Sequence, residues 1–385
     1  MTGGGSGGHI TPLLSLAREL KKQSPNCQLV YVGFKGDNFD SLKFGNVKFD
    51  FTVFINAGKF RRYHGESLLS HLFDLRTLAL NVRDLFRLIR SIGTALRLIN
   101  KFKPNLIFSK GGFVAVPVGI AARLRGVPII THDSDSLPGL ANRIIGRWAI
   151  LRTTGMPSTG SNYSAGNTKF VGIPLSDKVS FVGPKDQARF KAEIGLPRDC
   201  QMLLIGSAGN GSIKLNELVL KSAATLLKAN PRLYIIHIAG LQNLEKLNAE
   251  YAVVLDADYL KRVKTLGFAS EFYKYSGAAD IIVGRAGATS LSEFALQAKA
   301  CIIIPSPFLA NGHQLKNAEQ LKANDAAVVL DNNVEPDEFI VVVNNLLGDA
   351  NRRQRLASNL TKQAVPDSAR RLTRILLETT GQGRK

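Results

Sequence analysis

The pattern that most constrains this chain is a short apolar run, then a glycine turn, then a helical stretch, repeated in both halves. Gln28-Leu29-Val30-Tyr31-Val32-Gly33 and Phe51-Thr52-Val53-Phe54-Ile55 read as strands. Asn105-Leu106-Ile107-Phe108-Ser109 runs into Lys110-Gly111-Gly112, and Val127-Pro128-Ile129-Ile130-Thr131 runs into His132-Asp133. Lys169-Phe170-Val171-Gly172 closes the first half. After Pro184 the pattern restarts, with Met202 to Gly206 entering a second glycine turn, Ala208-Gly209-Asn210-Gly211-Ser212. Further strands are predicted at Leu233 to His237, Ile281 to Val283, Cys301 to Pro305 and Ala327 to Leu330. Apolar runs separated by helices predict parallel sheets covered on both faces. Each half is therefore expected to be a doubly wound α/β unit, with ligands bound beyond the carboxyl ends of its strands.

The chain opens on Gly3-Gly4-Gly5-Ser6-Gly7-Gly8-His9. Glycine permits positive φ and lets backbone approach a ligand closely. Leu13 to Lys22 then reads as a helix with Leu13, Leu14, Leu16, Ala17 and Leu20 on one side. The N–H groups at such a helix start attract anions, phosphates above all. A histidine at that junction would touch whatever reacts beside the phosphate. Taken alone, the segment would also suit a flexible tail. A glycine turn of this kind normally follows a buried strand, and only Met1 and Thr2 precede it. The first strand is thus expected to be missing, with the native start upstream.

A length of 385 residues suits two domains. The three cysteines, Cys27, Cys200 and Cys301, have neither metal-site spacing nor the density of a disulfide framework, which fits a reducing cytoplasm. No uncharged apolar run reaches the roughly 18 residues that a spanning helix needs. A net charge of +20 favours an anionic partner: nucleic acid, acidic lipid or a phosphorylated substrate. Much of that excess lies between Lys59 and Lys103, where Arg76, Arg83, Arg87, Arg90 and Arg97 interleave with Leu72, Phe73, Leu85, Phe86 and Ile89. A basic amphipathic helix of this kind can lie on an anionic membrane surface, although part of its apolar stripe must pack on a sheet. The expectation is peripheral contact with the cytoplasmic membrane face and no nucleic-acid binding.

Several candidate groups follow predicted strands directly. Gly111, Gly112, His132 and Asp133 do so in the first half; a strand-end histidine with a structural hydrogen bond would also account for His132. In the second half Arg285 can reach a phosphate, and Glu293 can accept two ribose hydroxyls. An ordinary surface ion pair would also account for them. His313 and Gln314, with Asn317 and Ala318, suit sugar hydroxyls or a helix cap. Asp256-Ala257-Asp258 has metal-binding spacing but no carboxylates around it, so bound Mg²⁺ is not indicated. A Walker A lysine and a dinucleotide fingerprint are both missing.

Taken in order, these motifs resemble the MurG family of peptidoglycan N-acetylglucosaminyltransferases. The resemblance rests on Gly4 to His9, Gly58-Lys59-Phe60-Arg61-Arg62-Tyr63, Lys110-Gly111-Gly112-Phe113, His132-Asp133-Ser134-Asp135 with Pro138-Gly139-Leu140-Ala141-Asn142, Arg285-Ala286-Gly287-Ala288 with Glu293, and His313-Gln314 with Asn317-Ala318. It runs from Gly3 to about Leu377. It implies a GT-B fold: two Rossmann-like domains facing a cleft, over residues 1–173 and 174–365, with a C-terminal helix over 366–385 returning toward the first domain. It implies inverting transfer from UDP-N-acetylglucosamine to the C4 hydroxyl of N-acetylmuramic acid on undecaprenyl diphosphate (lipid I to lipid II), with no cofactor and no active-site metal. The implied partners are lipid I, the membrane surface and cell-wall synthesis proteins.

Carried over by position, His9 is the general base, and Gly5, Ser6, Gly7 and Gly8 cradle the acceptor diphosphate. Gly111, Gly112, His132, Asp133 and Asn142 fall on the acceptor side. Gly209, Asn210, Gly211, Ser212, Asn216, Arg285 and Ala288 fall on the donor phosphates and their helices, the backbone of Ala269 on uracil, Glu293 on ribose, and His313 and Gln314 on the sugar. Four departures mark the chain. Asp133 stands where a glutamate is usual. Gly209 replaces the loop serine that binds phosphate, leaving Ser207 or Ser212 to substitute. Ser176 replaces an arginine after Gly172-Ile173-Pro174-Leu175. Ala298-Lys299-Ala300 replaces Gly-Leu-Pro after the donor helix. The rival readings are another GT-B glycolipid synthase, an isomerase of the UDP-N-acetylglucosamine 2-epimerase type, and a non-catalytic nucleotide-sugar binder.

Overall fold

The computed structural model describes residues 1–4, 7–35, 49–58, 75–163, 166–206, 211–308 and 312–381, with backbone alone for 7–9, 75–82 and 162. The chain divides into two compact units, Met1–Ser176 with Asp367–Lys385, and Asp177–Pro366. The first unit runs α1 (Gly7–Gln23), β1 (Val30–Phe34), β2 (Phe51–Ile55), α2 (Leu75–Phe102), β3 (Ile107–Ser109), α3 (Ala115–Leu124), β4 (Ile129–Asp133), α4 (Leu140–Ile145), β5 (Leu151–Thr154) and β6 (Thr168–Phe170). Among the described residues its strands form a parallel pair, β1-β2, and a parallel ladder, β3-β4-β5-β6.

Between the two lie Met1 and Thr2, where no strand is formed among the described residues and Thr2 makes isolated bridges alone. Thr2 bridges in parallel to both Val32 and Ser109. Its N–H donates to Phe108 O at 2.9 Å and its carbonyl accepts from Lys110 N–H at 2.9 Å, while Val32 N–H donates to Met1 O at 2.9 Å. The chain then turns into the glycine run against the edge of β3. A Cβ at Gly112, which has φ 79°, would lie 2.5 Å from Gly4 O, so this crossing needs glycine.

Leu13, Leu14, Leu16, Ala17 and Leu20 of α1 are buried, matching the predicted apolar side. β5 has no apolar run to mark it, because Leu151-Arg152-Thr153-Thr154 carries a single strongly apolar side chain. Its buried Thr153 hydroxyl is satisfied by donating to Thr131 O at 2.8 Å, which removes the cost of placing it inside.

The second unit runs α5 (Pro184–Glu193), β7 (Gln201–Ile205), α6 (Ile213–Ala229), β8 (Leu233–Ile238), α7 (Leu244–Val254), α8 (Ala257–Leu260), β9 (Val263–Leu266), α9 (Phe272–Ala278), β10 (Ile281–Gly284), α10 (Ala288–Leu296), β11 (Ala300–Ile303), α11 (His313–Ala323), β12 (Val328–Val329), α12 (Pro336–Gly348) and α13 (Ala350–Thr361). The parallel strand order among the described residues is β12-β11-β10-β7-β8-β9. The order reverses between β10 and β7, the switch point at which such sheets bind ligands. Edge strand β9, Val-Lys-Thr-Leu, is likewise unmarked, since its alternation is too short to register.

From α13 the chain returns to the first unit as α14 (Ser368–Thr379). Leu372, Ile375 and Leu376 of α14 join Leu13, Leu16 and Leu20 of α1 and Phe108 and Ile130 of the sheet in one buried cluster. Each such apolar side chain stabilises by about 1.5–3 kcal/mol on burial, so the C-terminal helix is part of the first unit's core.

Helix α10 ends in a Schellman motif: Lys299 N–H donates to Phe294 O and Ala298 N–H to Ala295 O. Its left-handed position holds Ala298 at φ 54°, where alanine is strained and glycine is not. Ala298→Gly is expected to raise stability by about 0.5–1 kcal/mol, less than the full strain because glycine gives up more freedom on folding. The urea midpoint measures this, and an unchanged or lower midpoint contradicts it.

Candidate active site

In the first unit the carboxyl ends of β3 and β4 bring together Gly111, Gly112, His132, Asp133 and Asn142. Asn142 holds the two strand ends in register. Its Nδ2 donates to His132 O at 2.9 Å, its Oδ1 accepts from Ser109 Oγ at 3.0 Å, and Ser109 Oγ accepts from Gly111 N–H at 3.2 Å. Both ends of the amide are thus spent on the frame beneath the Gly111-Gly112 turn. His132 is fully buried, with Nδ1 3.1 Å from Thr153 Oγ1. Burial, aided by the Lys110 charge, pushes its pKa well below the usual histidine value, so the ring is neutral. His132 Nε2, Ser134 Oγ and Thr154 Oγ1 are buried with no hydrogen-bond partner among the described residues.

Asp133, the departure from glutamate, is taken up by the protein. Its Oδ1 accepts from Gly139 N–H at 3.0 Å and its Oδ2 from the Tyr163 hydroxyl. Burial raises its pKa against those bonds, and the same burial lowers the Lys110 ammonium to about 8. Lys110 feels both Asp135 and Asp133. Asp133 therefore fastens the 134–139 loop and Tyr163 to the end of β4. Neither Tyr163 nor Ser109 was singled out from sequence; Tyr163 lies 30 residues from its partner, beyond any local pattern.

Gly7, Gly8 and His9 form the first turn of α1, so His9 sits at that helix's N-terminus. Gly5, Ser6 and the His9 side chain lie outside the described residues, as do Gly209 and Asn210.

In the second unit the candidate residues gather at the carboxyl ends of β7, β9, β10 and β11. Gly211 has φ 75°, and a Cβ there would collide with Ala239 O, so the approach to β8 requires glycine. Ser212 is the N-cap of α6. Asn216 is buried, donating to Ala239 O at 3.1 Å with its Oδ1 3.0 Å from His237 Nε2. It therefore serves the frame. Arg285 crosses to the N-cap: Nε and Nη2 donate to Ser212 Oγ at 3.2 and 2.7 Å, and Nη1 donates to Ile304 O at 2.9 Å and Asn332 Oδ1 at 2.7 Å. Asn332 carried no sequence signal, since it stands in a loop after a two-residue strand.

Gly287 caps α10, Ala288 opens it, and Glu293 lies on its next turn. The Glu293 carboxyl is half-buried and makes no hydrogen bond or ion pair with a described residue; desolvation pushes its pKa up to about 8. Ala269, beyond the end of β9, is buried, and neither its N–H nor its C=O bonds a described group. Gln314 Oε1 accepts from Ser306 N–H at 2.9 Å and Asn317 Nδ2 donates to Ala286 O at 2.9 Å, so α11 braces the loops after β11 and β10. His313 is half-buried at the start of α11.

Two departures lie away from these strand ends. Lys299 is buried at the amino end of β11, donating to Gly277 O and Ala279 O. Ser176 accepts from Arg18 Nη1 at 3.2 Å within the first unit.

Residues 1–150 match the glycosyltransferase family 28 N-terminal domain, and residues 202–372 match the glycosyltransferase family 28 C-terminal domain. The UDP-N-acetylglucosamine--N-acetylmuramyl-(pentapeptide) pyrophosphoryl-undecaprenol N-acetylglucosamine transferase of Clostridium tetani is 33% identical over 86% of this chain and 84% of its own length. Among solved structures, Acinetobacter baumannii MurG superposes with a TM-score of 0.71 at 22% identity over 98% of both chains. A putative UDP-N-acetylglucosamine 2-epimerase from Listeria monocytogenes superposes with a TM-score of 0.67 at 10% identity, over 99% of this chain and 96% of its own.

Removing the phenolic hydroxyl in Tyr163→Phe leaves the buried Asp133 Oδ2 without its donor. Stability is expected to fall by about 1–3 kcal/mol in urea denaturation; an unchanged midpoint means the bond is not formed in solution. Glu293 carries a pH signature. Its native pKa lies above its unfolded value, so the native state binds more protons between about 4.3 and 8 and loses stability as pH rises across that window. Glu293→Gln is therefore expected to raise Tm more at pH 9 than at pH 5, and an equal shift at both refutes the raised pKa.

Proposed function

We propose, from the premise that this chain belongs to the MurG family within glycosyltransferase family 28, that it transfers N-acetylglucosamine from UDP-N-acetylglucosamine to lipid I, giving lipid II of peptidoglycan synthesis. The observation that carries the donor assignment is the set of unspent groups in the second unit. The Glu293 carboxyl and the Ala269 backbone are withdrawn from water yet bonded to no described group. The Glu293 carboxyl, its ionised form favoured by the hydroxyls that meet it, can accept two ribose hydroxyls, and an unpaired N–H and C=O pair can read a pyrimidine ring. His313 and Gln314 lie at the next strand end for the sugar.

Transfer proceeds by displacement at the sugar C1. The acceptor C4 oxygen forms the new bond as the bond from C1 to the phosphate oxygen breaks, with inversion at C1. The hydroxyl proton goes to His9, since imidazole is the side chain suited to proton transfer near neutrality. UDP leaves with the electron pair. The N-termini of α6 and α10 meet its charge, in a reaction that uses no metal. Gly5 to Gly8, with Gly111 and Gly112, receive the acceptor diphosphate, while Asn142, His132 and Asp133 hold the strand ends in shape.

Peripheral attachment to an anionic membrane fits α2. Leu85, Phe86 and Ile89 are 47%, 64% and 57% exposed, and Arg83 and Arg90 are exposed beside them. Among the described residues no helix is long and apolar enough to cross a membrane.

The deciding experiment offers a lipid I analogue with UDP-N-acetylglucosamine, UDP-glucose or UDP-galactose and identifies products by mass spectrometry and NMR. Transfer from UDP-N-acetylglucosamine, with a β1→4 linkage, is expected. Epimerisation of the donor without acceptor supports the isomerase reading instead. His9→Ala is expected to lower turnover about a hundredfold or more, and turnover like that of the unmodified chain removes His9 as the base.

A further inference from the structure

Arg285 has the charge to bind a diphosphate, but its hydrogen bonds are directed elsewhere. Nε and Nη2 both reach Ser212 Oγ, at 3.2 and 2.7 Å, and Nη1 is shared by Ile304 O and Asn332 Oδ1, at 2.9 and 2.7 Å. Asn332 is buried, and it holds Nη1 while Ser212 holds Nε and Nη2, so the two anchors together fix the Arg285 fork.

The consequence falls on Ser212. A hydroxyl has two acceptor lone pairs and one donor hydrogen. Here the oxygen accepts from Arg285 twice and from Leu215 N–H at 3.4 Å. Its lone pairs are fully engaged, so its own O–H is left to donate, and a cation on the oxygen makes that hydrogen a stronger donor. Ser212 is half-buried at the start of a 17-residue helix, so an acceptor approaching it also meets the free N–H groups of the first turn. The group that this arrangement suits is an anionic oxygen with no hydrogen to give.

We infer that Ser212 is the side-chain ligand of the donor diphosphate in this chain, and that Arg285 and Asn332 are positioning residues that act through it. This rests on the donor reading above. It also changes the expected role of Arg285, from touching phosphate to aiming the hydroxyl that does, and it supplies the phosphate hydroxyl that Gly209 cannot.

Calorimetric binding of UDP and of uridine to the full chain tests this. Ser212→Ala is expected to weaken UDP binding about tenfold or more, since a hydrogen bond to a charged group is lost, and to leave uridine binding within twofold. Asn332→Ala is expected to weaken UDP binding several-fold with uridine again unaffected, and to add nothing in the Ser212→Ala background. Ser212→Thr, which keeps the hydroxyl, and Asn332→Asp, which keeps the acceptor, are expected to bind UDP within about threefold of the unmodified chain, and they hold the test open where an alanine variant does not fold. UDP affinity unchanged in Ser212→Ala, or an Asn332→Ala loss that persists in full without the Ser212 hydroxyl, overturns the inference while leaving the donor reading intact. An unmodified chain that binds neither UDP nor uridine overturns both.

Discussion

The first unit depends on a two-residue junction. The main chain of Met1 and Thr2 ties the β1-β2 pair to the β3-β6 ladder by backbone hydrogen bonds to Val30, Val32, Phe108 and Lys110. Backbone amides buried in a sheet must be paired, so this junction also satisfies edges that would otherwise be open. Because Thr2 sits in register with Ser109, the glycine run that follows emerges at the same sheet edge as Gly111 and Gly112. The touching of Gly4 and Gly112 is thus a product of strand register. α14 covers the face where α1 packs, so the last helix of the chain steadies the helix that carries His9.

Burial at the strand ends works differently in the two units. In the first, the polar groups are consumed: Asn142 spends its whole amide, Asp133 both oxygens, and His132 is neutral and enclosed. They form a stiff floor beneath the backbone turn at Gly111 and Gly112. In the second, Asn216, Gln314 and Asn317 are likewise spent on bracing loops, but Glu293 and Ala269 are not. An unpaired, partly desolvated carboxyl is costly to the empty protein. Under the proposed donor binding, ribose hydroxyls would remove that cost, and the desolvation that raises the Glu293 pKa would become affinity.

Much of this was legible in the sequence, for physical reasons. Strands buried on both faces leave continuous apolar runs, so β1, β4, β7, β10 and β11 announce themselves, and the glycines at 111, 112, 206 and 211 mark where positive φ follows a strand. Strands satisfied by hydroxyls or lying at an edge, β5 and β9, leave no such trace. The doubly wound architecture was readable, but not that Thr2 bridges to both Val32 and Ser109, because two residues have no periodicity. Candidate residues carried by local motifs were legible, and the described ones fall at strand ends and helix starts. Those that depend on contacts across the fold were not: Tyr163 on Asp133, and Asn332 on Arg285. The charge of Arg285 was legible, but its bonds to a hydroxyl and two carbonyl oxygens were not, because those partners lie on other strand ends.

The frame itself does not distinguish a transferase from an isomerase, because a 2-epimerase superposes almost as well as a MurG structure. The distinction has to lie in what the chain keeps uncovered. Burying a side chain such as Leu85, Phe86 or Ile89 would stabilise the fold by about 1.5–3 kcal/mol each, yet all three stand in water on α2 beside Arg83 and Arg90. An enzyme that needs only a soluble nucleotide sugar gains nothing from that arrangement. One whose acceptor is held in a bilayer by an undecaprenyl chain recovers the apolar term when α2 meets the lipid, and the arginines add the attraction of anionic headgroups. The exposed face of α2 therefore supports the same lipid-linked acceptor that family membership suggests, on grounds independent of sequence identity.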